Sequence, residues 1–229
     1  MRVIPRGLRE AKHAAFGLLP GRIGLRNRAC LHHLRKPDLG DVFQAALEKV
    51  GPGKLCIDCG ANKGSVTQRM LDTGANVIAF EPDPWSFQQL SGSVSGNGKI
   101  TLFNKAVGGQ AGVLPFYRAA DFQSHPDLHS LGSSLIAQGE GTQEEIQVEV
   151  IDFPEFIQGL ECRVEILKMD IEGAEVDILE RLFAKDLIGC FEHIFVETHE
   201  LLYPELLERT WALRDMAKHS GQRIWLDWH

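Results

Sequence analysis

A chain of 229 residues, 44% apolar and 24% charged, is long enough for one folded domain with a substantial core. Its composition excludes collagenous, disordered and disulfide-stapled classes, and its uncharged apolar runs fall far short of the roughly 20 residues needed to span a bilayer. The net charge of -7 is unevenly spread: residues 1–38 hold nine Lys or Arg against Glu10 and Asp38, a net of +7, which leaves about -14 on the remainder.

The first 20 residues interleave basic and polar positions without an apolar run or small-residue cleavage site, so no secretory leader is expected and the chain is expected in the cytoplasm. Residues 1–50 read as a basic extension with one helix, and residues 51–229 as the main domain. The basic segment reads as a solvated, partly mobile arm, one that could also touch anionic lipid headgroups, a phosphorylated substrate or another protomer's acidic face. It lacks interleaved aromatics and the body is acidic, which argues against a nucleic-acid partner.

Asp38 opens the helical pattern of this segment, with Val42, Phe43, Ala46, Leu47 and Val50 on one side and Gly51-Pro52-Gly53 as its stop. Lys54 to Asp58 is a short buried strand, Asn62 to Asp72 a loop turning into a helix, and Asn76 to Phe80 a second buried strand. Pro84 starts a helix reaching about Val94. Lys99 to Val107 and Val113 to Tyr117 read as strands around Gly108-Gly109-Gln110, and Glu145 to Val150 alternates as a half-exposed strand. Between them, Ala119 to Thr142 reads as a long loop or lid. Strand Val164 to Met169, helix Ala174 to Phe183, strand His193 to Glu197, helix Pro204 to Lys218 and strand Arg223 to Leu226 complete the order. Such alternation implies an α/β fold with a mostly parallel sheet, helices on both faces and ligands at the carboxyl ends of the strands. The five cysteines, with Cys56 and Cys59 as a lone C-x-x-C, are expected to be reduced and structural.

The first strand runs into Asp58-Cys59-Gly60-Ala61-Asn62-Lys63-Gly64, a D-x-G-x-x-x-G turn before a helix. Gly60 permits a tight turn and Gly64 close helix packing. Glu81 ends the second strand seventeen residues after Gly64, where a carboxylate can accept both hydroxyls of a ribose. These features point to a nucleoside. A dinucleotide turn wants Gly where Asp58 stands, because a carboxylate would repel a pyrophosphate; it suits the cationic amino and sulfonium groups of S-adenosylmethionine. At the fourth strand, Lys168, Asp170, Glu172 and Glu175 cluster, and His199 follows the fifth. Asp170, Glu172 or His199 could take an acceptor proton, and together they could hold a hard divalent cation, although no metal ligand is assigned. His125, His129 and His193 receive no role.

The segments Cys56–Gly64, Ala79-Phe-Glu-Pro82, Ala106-Val-Gly108, Ser133-Ser-Leu135, Leu167–Glu175 and Val196-Glu-Thr-His199 resemble the successive blocks of the FkbM family of class I methyltransferases. The resemblance implies a Rossmann-like methyltransferase sheet, S-adenosylmethionine as donor, and a hydroxyl acceptor on a sugar, glycan or polyketide-like molecule. It implies that Asp58, Gly60, Asn62 and Gly64 hold the methionine end of the donor, that Glu81 holds the ribose and that Ala106 borders the adenine. It leaves Asp170, Glu172, His199 and Lys168 as the catalytic candidates. Competing readings are a non-catalytic nucleoside-binding or scaffold module of the same fold, and an NAD-dependent oxidoreductase, which Asp58 opposes. A nucleic-acid amino-methyltransferase would want N-P-P-Y or D-P-P-Y where Asp170-Ile-Glu-Gly173 stands. Nothing in the sequence sets the oligomeric state.

Overall fold

A computed structural model describes residues 5–119, 122, 133–136 and 143–228. Of the expected loop between Ala119 and Thr142, most lies outside these residues, His125 and His129 included.

The centre is a six-stranded sheet of β1 (Leu55–Cys59), β2 (Asn76–Phe80), β3 (Ile100–Phe103), β7 (Val164–Met169), β8 (Phe191–Val196) and β9 (Ile224–Trp225). Their order is β3-β2-β1-β7-β8-β9 and every pairing is parallel. Parallel strands need crossovers, and the crossovers bury both faces. One face is covered by α3 (Gly40–Leu47), α4 (Ser65–Asp72) and α5 (Pro84–Ser93), through Phe43, Met70 and Leu90. The other is covered by α6 (Phe153–Gln158), α7 (Glu175–Ala184) and α8 (Leu207–His219), through Phe153, Ile178 and Leu213. Alternation along β1 sends Cys56 into the first layer and Cys59 into the second. The C-x-x-C thiols therefore face apart and can share neither a disulfide nor a metal. Burial pushes Cys56 up to about 12 and raises Cys59 as well.

The sequence-derived elements recur with shifted ends. Asp83 caps α5 by accepting the Ser86 amide at 2.9 Å, with Pro84 in the first turn. The stretch expected as one strand from Lys99 to Val107 is two. Asn104 donates its side-chain amide to the carbonyls of Glu81 at 2.8 Å and Pro82 at 3.1 Å, which turns the chain across the tip of β2. Beyond that turn, β4 (Ala106–Gly108) joins a second sheet, β4-β6-β5, with β5 (Gly112–Ala119) antiparallel to β6 (Gln143–Asp152). The helix α6 escaped sequence reading because its single turn and a half is too short to show a period.

The reading of residues 1–50 needs correction. The helix expected there, α3, belongs to the sheet's own core: Phe43 is fully buried, edge-on to Phe195 at 4.9 Å and against Trp228 at 5.3 Å. The segment before it is a helical hairpin, with α1 (Arg6–Phe16) and α2 (Gly21–Arg35) side by side. His13 meets Asn27 at 2.8 Å, and Arg28 donates to the Gly17 carbonyl at 2.8 Å. The hairpin docks on the body through polar contacts. His32 reaches Asp227 at 2.8 Å, His33 reaches Glu200 at 3.2 Å, and Arg22 donates to the Pro204 carbonyl at 3.3 Å. No apolar side chain of α1 is buried.

Candidate active site

The carboxyl ends of β1, β2, β7 and β8 meet at one cavity of about 250 Å³, continued by β4, β5 and the Ser133–Leu135 segment. This is where a parallel sheet leaves loop backbone and helix N-termini open to a ligand.

The glycine turn is built by close approach. Gly60 has φ +77, and a Cβ there would fall 1.9 Å from the Asp170 carbonyl oxygen, so only glycine lets the tips of β1 and β7 touch. At Gly64, with φ +93, a Cβ would lie 2.7 Å from the Leu90 side chain, so glycine also lets α4 settle against α5. Gly60 lines the cavity directly, whereas Gly64 acts from behind it.

Glu81 closes the other side of the turn. One carboxylate oxygen accepts the Asn62 amide at 2.7 Å and the other the Asp83 amide at 2.9 Å. Burial raises this carboxyl to about 7, against the pull of those two amides. Glu81, Asn62 and Ala106 all line the cavity, beside the apolar faces of Phe80, Phe116 and Leu135.

Asp58 is placed differently from its sequence reading. It is fully buried and absent from the cavity wall, with one oxygen accepting the Thr67 hydroxyl at 2.7 Å and the other 3.3 Å from Lys168 Nζ. A carboxylate neutralised in this way does not face a ligand. Lys168 Nζ also donates to the carbonyls of Gly60 at 2.7 Å and Cys59 at 3.4 Å. Burial lowers the Lys168 affinity for its proton, but Asp58 and Asp170 outweigh burial and raise it. The ammonium therefore stays charged and ties the glycine turn to β7.

The negative lining comes from other acids: Asp170, Glu172 and Glu197, the last passed over in the sequence. Its position two residues before His199, at the tip of β8, was the available signal. Glu172 takes φ +55, a conformation non-glycine residues rarely adopt, and its carbonyl accepts the Ser134 hydroxyl at 2.7 Å. Tyr203 donates to that same hydroxyl oxygen at 2.9 Å, and Tyr117 and Ser134 exchange backbone hydrogen bonds. The Ser133–Leu135 motif is thereby fastened to both β5 and the β7 loop. Burial also lifts Glu172 to about 7.

His199 stands 3.5 Å from Glu172 and 3.7 Å from Asp170 through Nε2. Its Nδ1 meets the fully buried Glu175 at 3.1 Å, and Glu175 also accepts the amides of Gly173 at 2.7 Å and His199 at 3.2 Å. Burial pulls His199 down, but the bond to Glu175 and the charges of Glu175, Glu172 and Asp170 carry it up to about 9. Near neutral pH that favours the imidazolium. One oxygen of Asp170, one of Glu172 and a ring nitrogen of His199 all lie within 4.8 Å of one another. His193, by contrast, sits away from the cavity, stacked with Phe195 at 5.9 Å.

The chain is similar to known proteins over most of its length. The profile of the methyltransferase FkbM domain matches residues 58–219. Hexuronic acid methyltransferase AglP of Haloferax volcanii is 25% identical over 169 residues, a match covering 72% of this chain and 64% of that protein. Among solved structures, one provisionally described as an rRNA methylase from Clostridium thermocellum superposes with a TM-score of 0.46 at 9% identity, over 81% of this chain and 83% of that one. Another, provisionally described as an RNA methyltransferase from Pyrococcus horikoshii, gives 0.34 at 13% identity, over 85% and 72% respectively.

Proposed function

The chain belongs to the FkbM methyltransferase family, and from that premise we propose that it is an S-adenosylmethionine-dependent O-methyltransferase acting on a hydroxyl of a sugar, with uronic-acid glycans as the first acceptors to test. The observation that carries the reading is the continuity of the cavity: a single space runs from Glu81 and Asn62 to Asp170 and Glu172. A donor bound at the first end would present its methyl group toward the second.

The residues present fit that donor. Acids at the β7–β8 end complement its cationic groups, Glu81 stands where ribose hydroxyls can be accepted, and Ala106, Phe116 and Leu135 offer an apolar wall for a purine. Gly60 and Asn62 are placed for the methionine end, with Gly64 shaping the turn. Asp58 then acts from behind the cavity wall, and Lys168, which lines it, holds the Gly60 turn against β7.

The sulfonium supplies a methyl group that is already activated, so the protein's share is to align the acceptor and take its proton. We assign proton acceptance to Glu172. It lines the cavity, and a carboxyl near 7 is matched to a neutral-pH base. Asp170 would orient the acceptor, and the His199 imidazolium, fixed by Glu175, would steer both carboxylates.

A second reading has its own observation. Asp170, Glu172 and His199 offer three close ligand atoms, and Glu175 on the far nitrogen of His199 resembles the carboxylate that usually backs a metal-bound imidazole. On that reading a divalent cation, held by these three, would acidify the acceptor hydroxyl. Activity that survives chelation and gains nothing from Mg²⁺ or Mn²⁺ would reject it.

The test of the main reading offers the full chain S-adenosylmethionine with uronic-acid oligosaccharides and detects methylated product by mass. A methyl group stable to mild alkali is the expected ether. An alkali-labile ester would contradict the hydroxyl acceptor, and donor binding without turnover on any glycan or RNA offered would favour the scaffold alternative.

A further inference from the structure

Five of the nine large apolar side chains exposed among the described residues belong to the amino-terminal hairpin: Leu8, Phe16, Leu18, Leu19 and Ile23. Leu18 is 87% exposed, Leu8 63% and Ile23 62%, in a stretch of only sixteen residues. Apolar groups gathered in this way on one element signal a contact surface, since scattered ones need no explanation. The charge around them is one-sided. Arg6, Arg9, Lys12, Arg22, Arg26 and Arg28 are exposed on the same two helices. Glu10 is the one acid between residues 5 and 35, and Arg6 and Arg35 already engage it.

We propose that the α1–α2 hairpin docks the protein peripherally on an anionic lipid surface, with Leu18, Leu19 and Ile23 entering the headgroup boundary and the surrounding Arg and Lys meeting lipid phosphates. Exposed apolar side chains interspersed with cations are the chemistry such an interface selects. No helix among the described residues is long and apolar enough to cross a membrane, so the contact is a surface one. A second copy of the chain fits less well. Its acidic body offers few exposed large apolar groups, Val113, Leu114, Leu202 and Met216, and a hairpin-to-hairpin contact would oppose like charges.

The hairpin is tied to the cavity's surroundings. His33 bonds Glu200, the neighbour of His199, and His32 bonds Asp227, the neighbour of the cavity-lining Trp228. Docking would thereby hold the cleft beside the lipid surface; this consequence, unlike the docking itself, rests on the methyltransferase reading.

Flotation of the full chain with phosphatidylcholine vesicles, and with vesicles mixing in an equal part of phosphatidylglycerol, tests the proposal without reference to catalysis. The expected result is flotation with the anionic vesicles alone, falling as salt rises. The pair Leu18→Glu with Ile23→Glu should lower the partition about tenfold or more, as should Arg9→Glu with Lys12→Glu. All four positions are exposed, so melting temperature and S-adenosylhomocysteine binding should not move. Absence of flotation, equal binding to neutral vesicles, or undiminished flotation of both pairs would overturn the proposal. So would a dimer abolished by Leu18→Glu in a chain that ignores vesicles.

Discussion

At the β1–β2 end of the cavity, the surface is made by backbone and by a carboxylate already seated on two amides; at the β7–β8 end it is made by side chains whose charges oppose one another. Gly60, Asn62 and Glu81 form the first end, within 22 residues of chain. Asp170, Glu172 and Glu197 form the second, with His199 and Glu175 behind them, and Ser134 and Tyr203 brace it from two further segments. The first end suits a group recognised the same way in every cycle. On the proposed reading the second end would meet the acceptor, and its side chains would set acceptor choice.

The residue that joins the two ends gives the largest expected effect. Lys168→Met leaves Asp58 fully buried beside no cation, which should cost about 3–5 kcal/mol of stability. Urea unfolding would measure it. A loss below about 1 kcal/mol would show that Thr67 and the turn alone hold Asp58.

At the β7–β8 end, Glu172→Gln keeps the side-chain shape and removes the proton acceptor. It should lower kcat by about 10²–10⁴ with little change in S-adenosylhomocysteine affinity. A matching loss with Asp170→Asn but not Glu172→Gln would exchange their roles.

How much of each end was legible follows from the same contrast. The glycine turn could be read because backbone constraints write themselves as glycines at fixed spacing, and Glu81 because it ends a short apolar strand. The sense of Asp58 was misread, since the sequence does not show that Lys168, more than a hundred residues away, covers it. Asp170 and Glu172 were singled out by their place after a strand, and both line the cavity. The surroundings of His199 were not legible, because Glu175, Glu172 and Asp170 converge on it across two loops. The hairpin was hidden for another reason: α1 buries no apolar side chain, α2 fully buries only Ala29, and single polar contacts help to dock the pair.

A pH series sharpens the comparison further. The His199 proton is held to about 9 in the folded protein against an ordinary 6.5. Its stabilising contribution is therefore complete below about pH 6.5 and is lost as pH rises through about 9. Glu172, raised from 4.5 to about 7, has the same sign, with its contribution lost between those values. Stability should fall by about 3 kcal/mol at most between pH 6.5 and 9 through His199. Thermal melts of a His199→Gln variant should show a flatter profile, and an unchanged slope would remove the imidazolium from the account.

Calorimetric titration of S-adenosylhomocysteine into the wild type, Glu81→Ala and Glu81→Gln, with NAD as control, tests the central claim most directly. The account predicts micromolar-range binding, a loss of about tenfold or more in both variants, and no NAD binding. Binding of NAD in place of the sulfur nucleoside, or affinity indifferent to Glu81, would contradict the donor site at the tip of β2.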